Sequence, residues 1–229
     1  EKDAGEQLLE KFNKGYDFIS ASFQLKNHGF IKNLIFGDYQ ANFGQGLVIS
    51  QAFSTGKSTM TTRVCDLNTG FKRYGSTNEF NFLRGMALSL QHQQVSLHVF
   101  FSGRQLDGKV QHDMFPAFYQ TGYHRTTDEI SKRNKVKQSL AGFNLAFNGI
   151  WYQIGVNSLI MKLDKKLNPI LYPYNIFYFR GDKQWVSGFH YRFRFHKFNF
   201  FGEAALSGVK HPALICGPTF SPVSRVNLA

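Results

Sequence analysis

Cysteine is nearly absent from this chain of 229 residues, which carries only Cys65 and Cys216. One disulfide or two lone thiols fit that number, and a scaffold built on disulfides is excluded. Neither cysteine sits at a metal-ligand spacing, and the eight histidines form no HExxH or clustered pattern, so no metal centre is expected. Acidic residues are also scarce. Fifteen Asp+Glu face 27 Lys+Arg, for a formal charge of +12 and a pI near 9.7. No apolar run reaches the roughly 18 residues that a membrane-crossing helix needs. The stretch "STGKS" at 54–58 suggests a phosphate-cradling loop, but that loop needs a glycine where this chain has Gln51,. The following "TMTTRVCDLNTG" is rich in β-branched residues and is poor material for the helix whose N-terminus should face the phosphates,. No Ser-His-Asp arrangement can be read either. The sequence therefore offers no catalytic residue and no cofactor.

What is abundant is ring-bearing side chains. Aromatics make up 16% of the chain, with 25 Phe and 10 Tyr, yet the mean hydropathy is −0.30. Strands that alternate a ring with a polar residue produce both numbers at once. The alternation is direct. In 80–91, Phe80, Phe82, Met86, Leu88 and Leu90 oppose Asn81, Gly85, Ala87, Ser89 and Gln91, with the phase broken at Leu83 and Arg84. Val95, Leu97, Val99 and Phe101 resume it after a short link. Ser139, Ala141, Phe143, Leu145 and Phe147 oppose Gly142, Asn144 and Ala146. Asn148-Gly149 then predicts a two-residue hairpin with both residues at positive φ. In 184–207, Trp185, Phe189, Tyr191, Phe193 and Phe195 share one face, and His190, Arg192, Arg194 and His196 the other. A tight link at His196-Lys197 would set Glu203 across from His190. Ile19, Ala21, Phe23 and Leu25 alternate in the same way, whereas 30–53 is broken by glycines, so "GQGLVISQAF" reads as a bent strand running out to a loop.

Longer polar stretches at 54–78, 105–116 and 123–137 read as loops, the last holding a short helix that begins near Thr127 or Asp128. A soluble sandwich and a membrane barrel both alternate. The barrel is favoured by apolar faces of about ten residues per strand. Polar faces rich in Gly, Asn, Ser, Gln and Arg would suit a wet lumen, and aromatics gather near strand ends as an interfacial girdle does. The expectation is a single all-β domain over 1–229: an antiparallel, up-and-down transmembrane β-barrel of about ten strands. The abrupt "EKDAGE" start and "SPVSRVNLA" end point to a piece of a larger barrel.

A set of motifs carries a resemblance: "EKDAGE" at 1–6, "FGDYQANFGQGL" at 36–47, "GKS" at 56–58, "YGSTNEFNFLRG" at 74–85, "YQTGYHRTTDEI" at 119–130 and "FNFFGEAALS" at 198–207. Together they resemble the barrel region of an outer-membrane family of Bacteroidota whose members carry ComEA-like helix-hairpin-helix modules upstream. The resemblance implies the outer membrane of a Gram-negative bacterium and a preceding N-terminal part, and it supplies no enzymatic activity. No helix-hairpin-helix segment lies in this sequence.

Three constellations are candidates for function. His190, Arg192, Arg194 and His196 with Glu203 would make a basic lumen face that attracts anions, or a charge network that holds strand register. Arg84 with Glu79 and Asn78 would anchor the loop where it enters a strand. Asp38, Gln40, Asn42 and Gln45 would line the polar side of 36–47 and could meet a sugar or a peptide. The basic "SKRNKVK" at 131–137 would draw phosphate of lipopolysaccharide or nucleic acid, or stand as a solvated surface. The expected partners are therefore membrane lipids, lipopolysaccharide and other envelope proteins, with nucleic acid the less supported. The leading expectation is a non-enzymatic outer-membrane channel or translocation component with a basic lumen. The alternatives are a DNA-uptake protein and a scaffold barrel.

Overall fold

The computed structural model of the chain describes residues 18–51, 69–76, 78–208 and 212–220 in full, and the backbone alone of 9–10, 13–14, 221–223 and 226–228. Nine long strands follow one another: β1 Ser22–His28, β2 Ile31–Asn42, β3 Leu83–His92, β4 Val95–Gly108, β5 Val136–Asn148, β6 Tyr152–Leu167, β7 Gly181–Phe195, β8 Phe198–Ser207 and β9 Pro212–Val223. Each pairs with the next in an antiparallel meander, and Val226–Leu228 adds a last short strand beside β9. The fold is thus all-β, one large antiparallel sheet with a separate two-stranded piece at Leu9–Glu10 and Asn13–Lys14. Among the described residues the large sheet is open, with β1 and Val226–Leu228 as its edges. Short pieces decorate it: Gly70–Arg73 pairs with the end of β2, Met114–Phe115 with the end of β6, and Phe118–Tyr119 with the end of β4.

The hairpins form largely where the alternation places them. His196 takes φ +52 and turns the chain so that Phe195 pairs with Phe198 and His190 with Glu203. Gln93, at φ +49, does the same between β3 and β4. The β5–β6 turn departs from expectation. Neither Asn148 nor Gly149 adopts positive φ. Asn148 stays in β5 opposite Gln153, and the Gly149 N–H closes a wider loop on the Tyr152 carbonyl at 2.8 Å. Trp151 and Tyr152, stacked on Phe193 and Phe147, favour that wider loop.

Two loop expectations are corrected as well. Residues 105–108 continue β4, because Leu106 pairs with Val136 and both are buried. The segment 43–51 is not a strand leaving the sheet, since it folds back over the sheet's inner face. The helix in the third loop is present at Thr127–Lys132, with Thr126 and Glu129 forming a reciprocal capping box,. Most of 54–78, including "GKS", lies outside the described residues.

Register sorts the side chains into two faces. One row, passing from strand to strand, joins Leu25, Leu34, Leu88, Val99 and Phe143, and a second joins Leu90, Leu97, Leu145, Val156 and Phe189. These rows and the one joining Met86, Phe101, Ala141 and Ile160 face away from the folded-back segment and are half-buried to exposed: Phe101 53%, Phe143 41%, Ile160 58%, Phe189 48%. The opposite face is buried and zoned along the strands. Near the short turns it holds Ser96, Asn144, Asn157, His190 and Glu203. Farther along lies an apolar cluster of Ile35, Tyr39, Ala41, Phe43, Phe71, Leu83, Ala87, Phe100 and Leu140. At the far end a second cluster gathers Leu106, Phe115, Val136 and Leu163.

Candidate functional site: a strap held on the inner face

The end of β2 and the residues after it form a strap over the inner, buried face of the sheet. Phe43 lies 5.0 Å from the His98 ring on β4 and 5.1 Å from Phe71, and Phe71 lies 5.7 Å from Phe100. Such edge and tilted ring contacts favour burial at this face. The strap then crosses to the far strands. Glu203 of β8, with no exposed surface, accepts the backbone N–H of Gln45 at 2.6 Å and of Leu47 at 3.1 Å. Gly44 is required here. Its φ is +62, and a Cβ would stand 2.7 Å from the carboxylate oxygen,. Gly188 on β7 has a matching role, since a Cβ there would meet a Val48 methyl at 2.8 Å.

The remaining acceptor capacity of Glu203 is tied to the sheet. Asn157 Nδ2 on β6 donates to Glu203 Oε1 at 3.1 Å, and Asn144 Nδ2 on β5 donates to Asn157 Oδ1. The same Asn144 amide lies 2.9 Å from His190 Nε2. One polar chain thus runs from β7 through β5 and β6 to β8 and on into the strap. It satisfies a carboxylate that would be costly if left unpaired in this interior. The second end of the strap is pinned by β2 itself. Asn42 Oδ1 accepts the Gln51 N–H at 2.6 Å, Gln51 Oε1 accepts the Ala41 N–H at 3.1 Å, and Gln40 Nε2 donates to the Gln51 carbonyl at 3.0 Å.

The sequence candidates therefore separate. Glu203 and His190 are cross-strand neighbours as expected, and Gln45 and Asn42 join them through the strap rather than by lining one face of a strand. Arg192 and Arg194 stand apart, lining a recess at the β5–β6 turn with Asn148, Trp151 and Gln153. His196 is a turn residue exposed to solvent and does not share the inner face. The expected basic face is thus split: a buried polar centre at His190 and Glu203, and arginines at the short-turn end of the sheet.

Arg84 grips Asp38 with two hydrogen bonds, Nε to Oδ1 at 2.7 Å and Nη2 to Oδ2 at 2.9 Å, and its Nη2 also donates to the Ile19 carbonyl at 2.8 Å. Bidentate geometry of this kind fixes the arginine strongly. The pair joins β2, β3 and the approach to β1, so the acid that Arg84 grips is Asp38 of β2, where the sequence reading set Glu79 and Asn78 beside it. Glu79 lines the same surface recess as Arg84.

Sequence reasoning missed Asn144, Asn157 and Arg104. The two asparagines sat on faces already read as polar, but nothing in the order of residues marks them as links to Glu203. Arg104 lay at the edge of a supposed loop. It is an inward group of β4 whose guanidinium donates to the carbonyls of Phe80 at 2.5 Å and Phe82 at 2.6 Å and to Gln138 Oε1 at 3.1 Å. Among the described residues no three His, Cys, Asp or Glu side chains gather so as to hold a metal ion. No protein-family model, curated protein or solved structure matches the chain.

Proposed function

We propose that the chain forms wall of an outer-membrane β-barrel of a Gram-negative bacterium, acting without catalysis as a channel or translocation component that the strap holds shut. The observation that carries this reading is the inversion of the sheet. Rows of Phe, Leu, Ile and Trp lie exposed across six or more strands, while Asn, His, Ser and Glu are buried on the other face. A soluble monomer rarely exposes so continuous an apolar surface, whereas a barrel in lipid needs that arrangement. The connections agree. Those after β1, β3, β5 and β7 are short turns at one end, and at the other those after β2, β4 and β6 are long while the one after β8 spans only 208–211. Outer-membrane barrels alternate their links in the same manner. Closure would come from pairing of the edges β1 and Val226–Leu228, with each other or with further strands.

The strap is suited to closing the passage reversibly. Glu203 holds its middle, at Gln45 and Leu47, and Gln45 Oε1 is buried with no hydrogen-bond partner among the described residues. An unmet acceptor of that kind costs about 1–3 kcal/mol, which brings the released position closer in energy. Arg192 and Arg194 at the short-turn mouth would favour anions.

Planar-bilayer recordings test the proposal. The native protein should open rarely, Glu203→Ala should open often, and Arg192→Ser with Arg194→Ser should lose anion preference in the Glu203→Ala background. A chain that stays folded and monodisperse in plain buffer, or a Glu203→Ala variant that never conducts, would refute it.

A further inference from the structure

The outward face changes character at the row that joins Ile160 to Trp185. One row farther toward the long connections, Lys162 of β6 stands directly across from Lys183 of β7, and both are exposed. Like charges directly opposite each other in a sheet repel. Among the described residues neither ammonium has a carboxylate partner. Lys137 of β5 is exposed close by, two residues along from Ser139, the β5 residue that pairs with Lys162. Of the acids nearest in sequence, Asp164 accepts the Lys137 backbone N–H at 2.7 Å, and Asp182, adjacent to Lys183, makes no ion pair among the described residues. Just below, Trp185 is 46% exposed and donates its indole N–H to Ser158 Oγ at 3.0 Å. Apolar rows, then a tryptophan, then unpaired lysines: this order along one face matches the passage from hydrocarbon through interface to headgroup.

We infer that Lys162 and Lys183, with Lys137 beside them, clasp a phosphate of a phosphorylated glycolipid of the outer leaflet, lipopolysaccharide in chemical class. The inference rests on the membrane reading above. A phosphate accepts from both ammoniums at once and turns a repelling pair into a bridged one. The long connections lie at this end, which is the external end in outer-membrane barrels. Inorganic phosphate shares the headgroup chemistry, but its acyl-bearing counterpart also gains contact with the Ile160–Trp185 row, so the lipid is the favoured occupant.

The full chain is reconstituted into phosphatidylcholine vesicles containing lipopolysaccharide and re-extracted in mild detergent, and the lipopolysaccharide that co-elutes is measured. Lys162→Gln with Lys183→Gln should lower retention roughly 10- to 30-fold, from the usual contribution of a lysine near an anionic surface. Lys32→Gln with Lys197→Gln, which removes equal charge at the short-turn end, should leave it unchanged. Dephosphorylated lipopolysaccharide should be retained as weakly as by the double variant, and inorganic phosphate should not displace the lipid. Equal retention by the Lys162/Lys183 variant, an equal loss in the Lys32/Lys197 variant, undiminished retention of dephosphorylated lipid, or displacement by phosphate would each overturn the site while leaving the barrel standing. Failure of the native chain to enter vesicles would overturn the membrane reading itself, and the site with it.

Discussion

Glu203 takes hydrogen bonds from Gln45, Leu47 and Asn157 while having no exposed surface. Truncating it strands those donors in an interior that water does not reach. Glu203→Ala should therefore destabilise the fold by about 3 kcal/mol, read as a lower unfolding temperature in detergent. Gly44 tests the same contact from the other side. Gly44→Ala in the native background meets both an unfavourable φ and the carboxylate, and should cost about 2–4 kcal/mol. In the Glu203→Ala background the steric part vanishes and only the φ penalty of about 1 kcal/mol is left. A double-mutant cycle by thermal unfolding should thus show strong non-additivity. Additive losses would mean that the strap is held elsewhere.

At the scale of the element, strand identity was readable because ring and polar residues alternate without a break for most of each strand. Where the pattern failed, packing explains the failure. Leu83 and Arg84 looked like interruptions of β3. Leu83 marks the place where the inner face changes from polar to apolar, since it joins the aromatic cluster, and Arg84, on the outward face, is held there by Asp38. The outward position of Phe143 gives a direct test of environment. Phe143→Lys places an ammonium in the middle of an apolar row, which should cost about 2–4 kcal/mol in lipid and little in water. Folding titrations from urea into vesicles should show that loss, and an unchanged midpoint would argue against lipid contact. The helix Thr127–Lys132 is short and depends on its cap. Thr126→Ala should cost about 1 kcal/mol locally and speed proteolytic cleavage near 127–132, with no change in the sheet's circular dichroism.

Taken as a whole, the sheet exposes apolar rows on one face and buries both polar and apolar groups on the other. Polar groups gather near the short turns, and aromatic and aliphatic groups fill the remainder. In the barrel proposed above, that zoning would make the strap a plug with an apolar anchor, Phe43, and a polar latch at Gln45 and Leu47. The two ends differ in charge: Arg192 and Arg194 lie at the short-turn end, and outward Lys162 and Lys183 at the end with long connections. Detergent dependence is the property that belongs to this scale. β-type circular dichroism should appear in micelles and collapse into aggregates on detergent removal, because the exposed rows would then meet water.

The sequence by itself determined the strands, most of the tight turns, the capped helix and the Glu203–His190 pairing. All of these follow from local alternation and from turn residues a few positions apart. Only the tertiary structure decided that 43–51 turns inward, that Asn144 and Asn157 relay Glu203 to His190, and that Arg84 belongs to Asp38. Those contacts join residues as far apart as Gln45 and Glu203, and no periodicity within a strand encodes which distant segment will lie over its inner face. Alternation fixes which side a residue takes, whereas long-range packing fixes what it meets there.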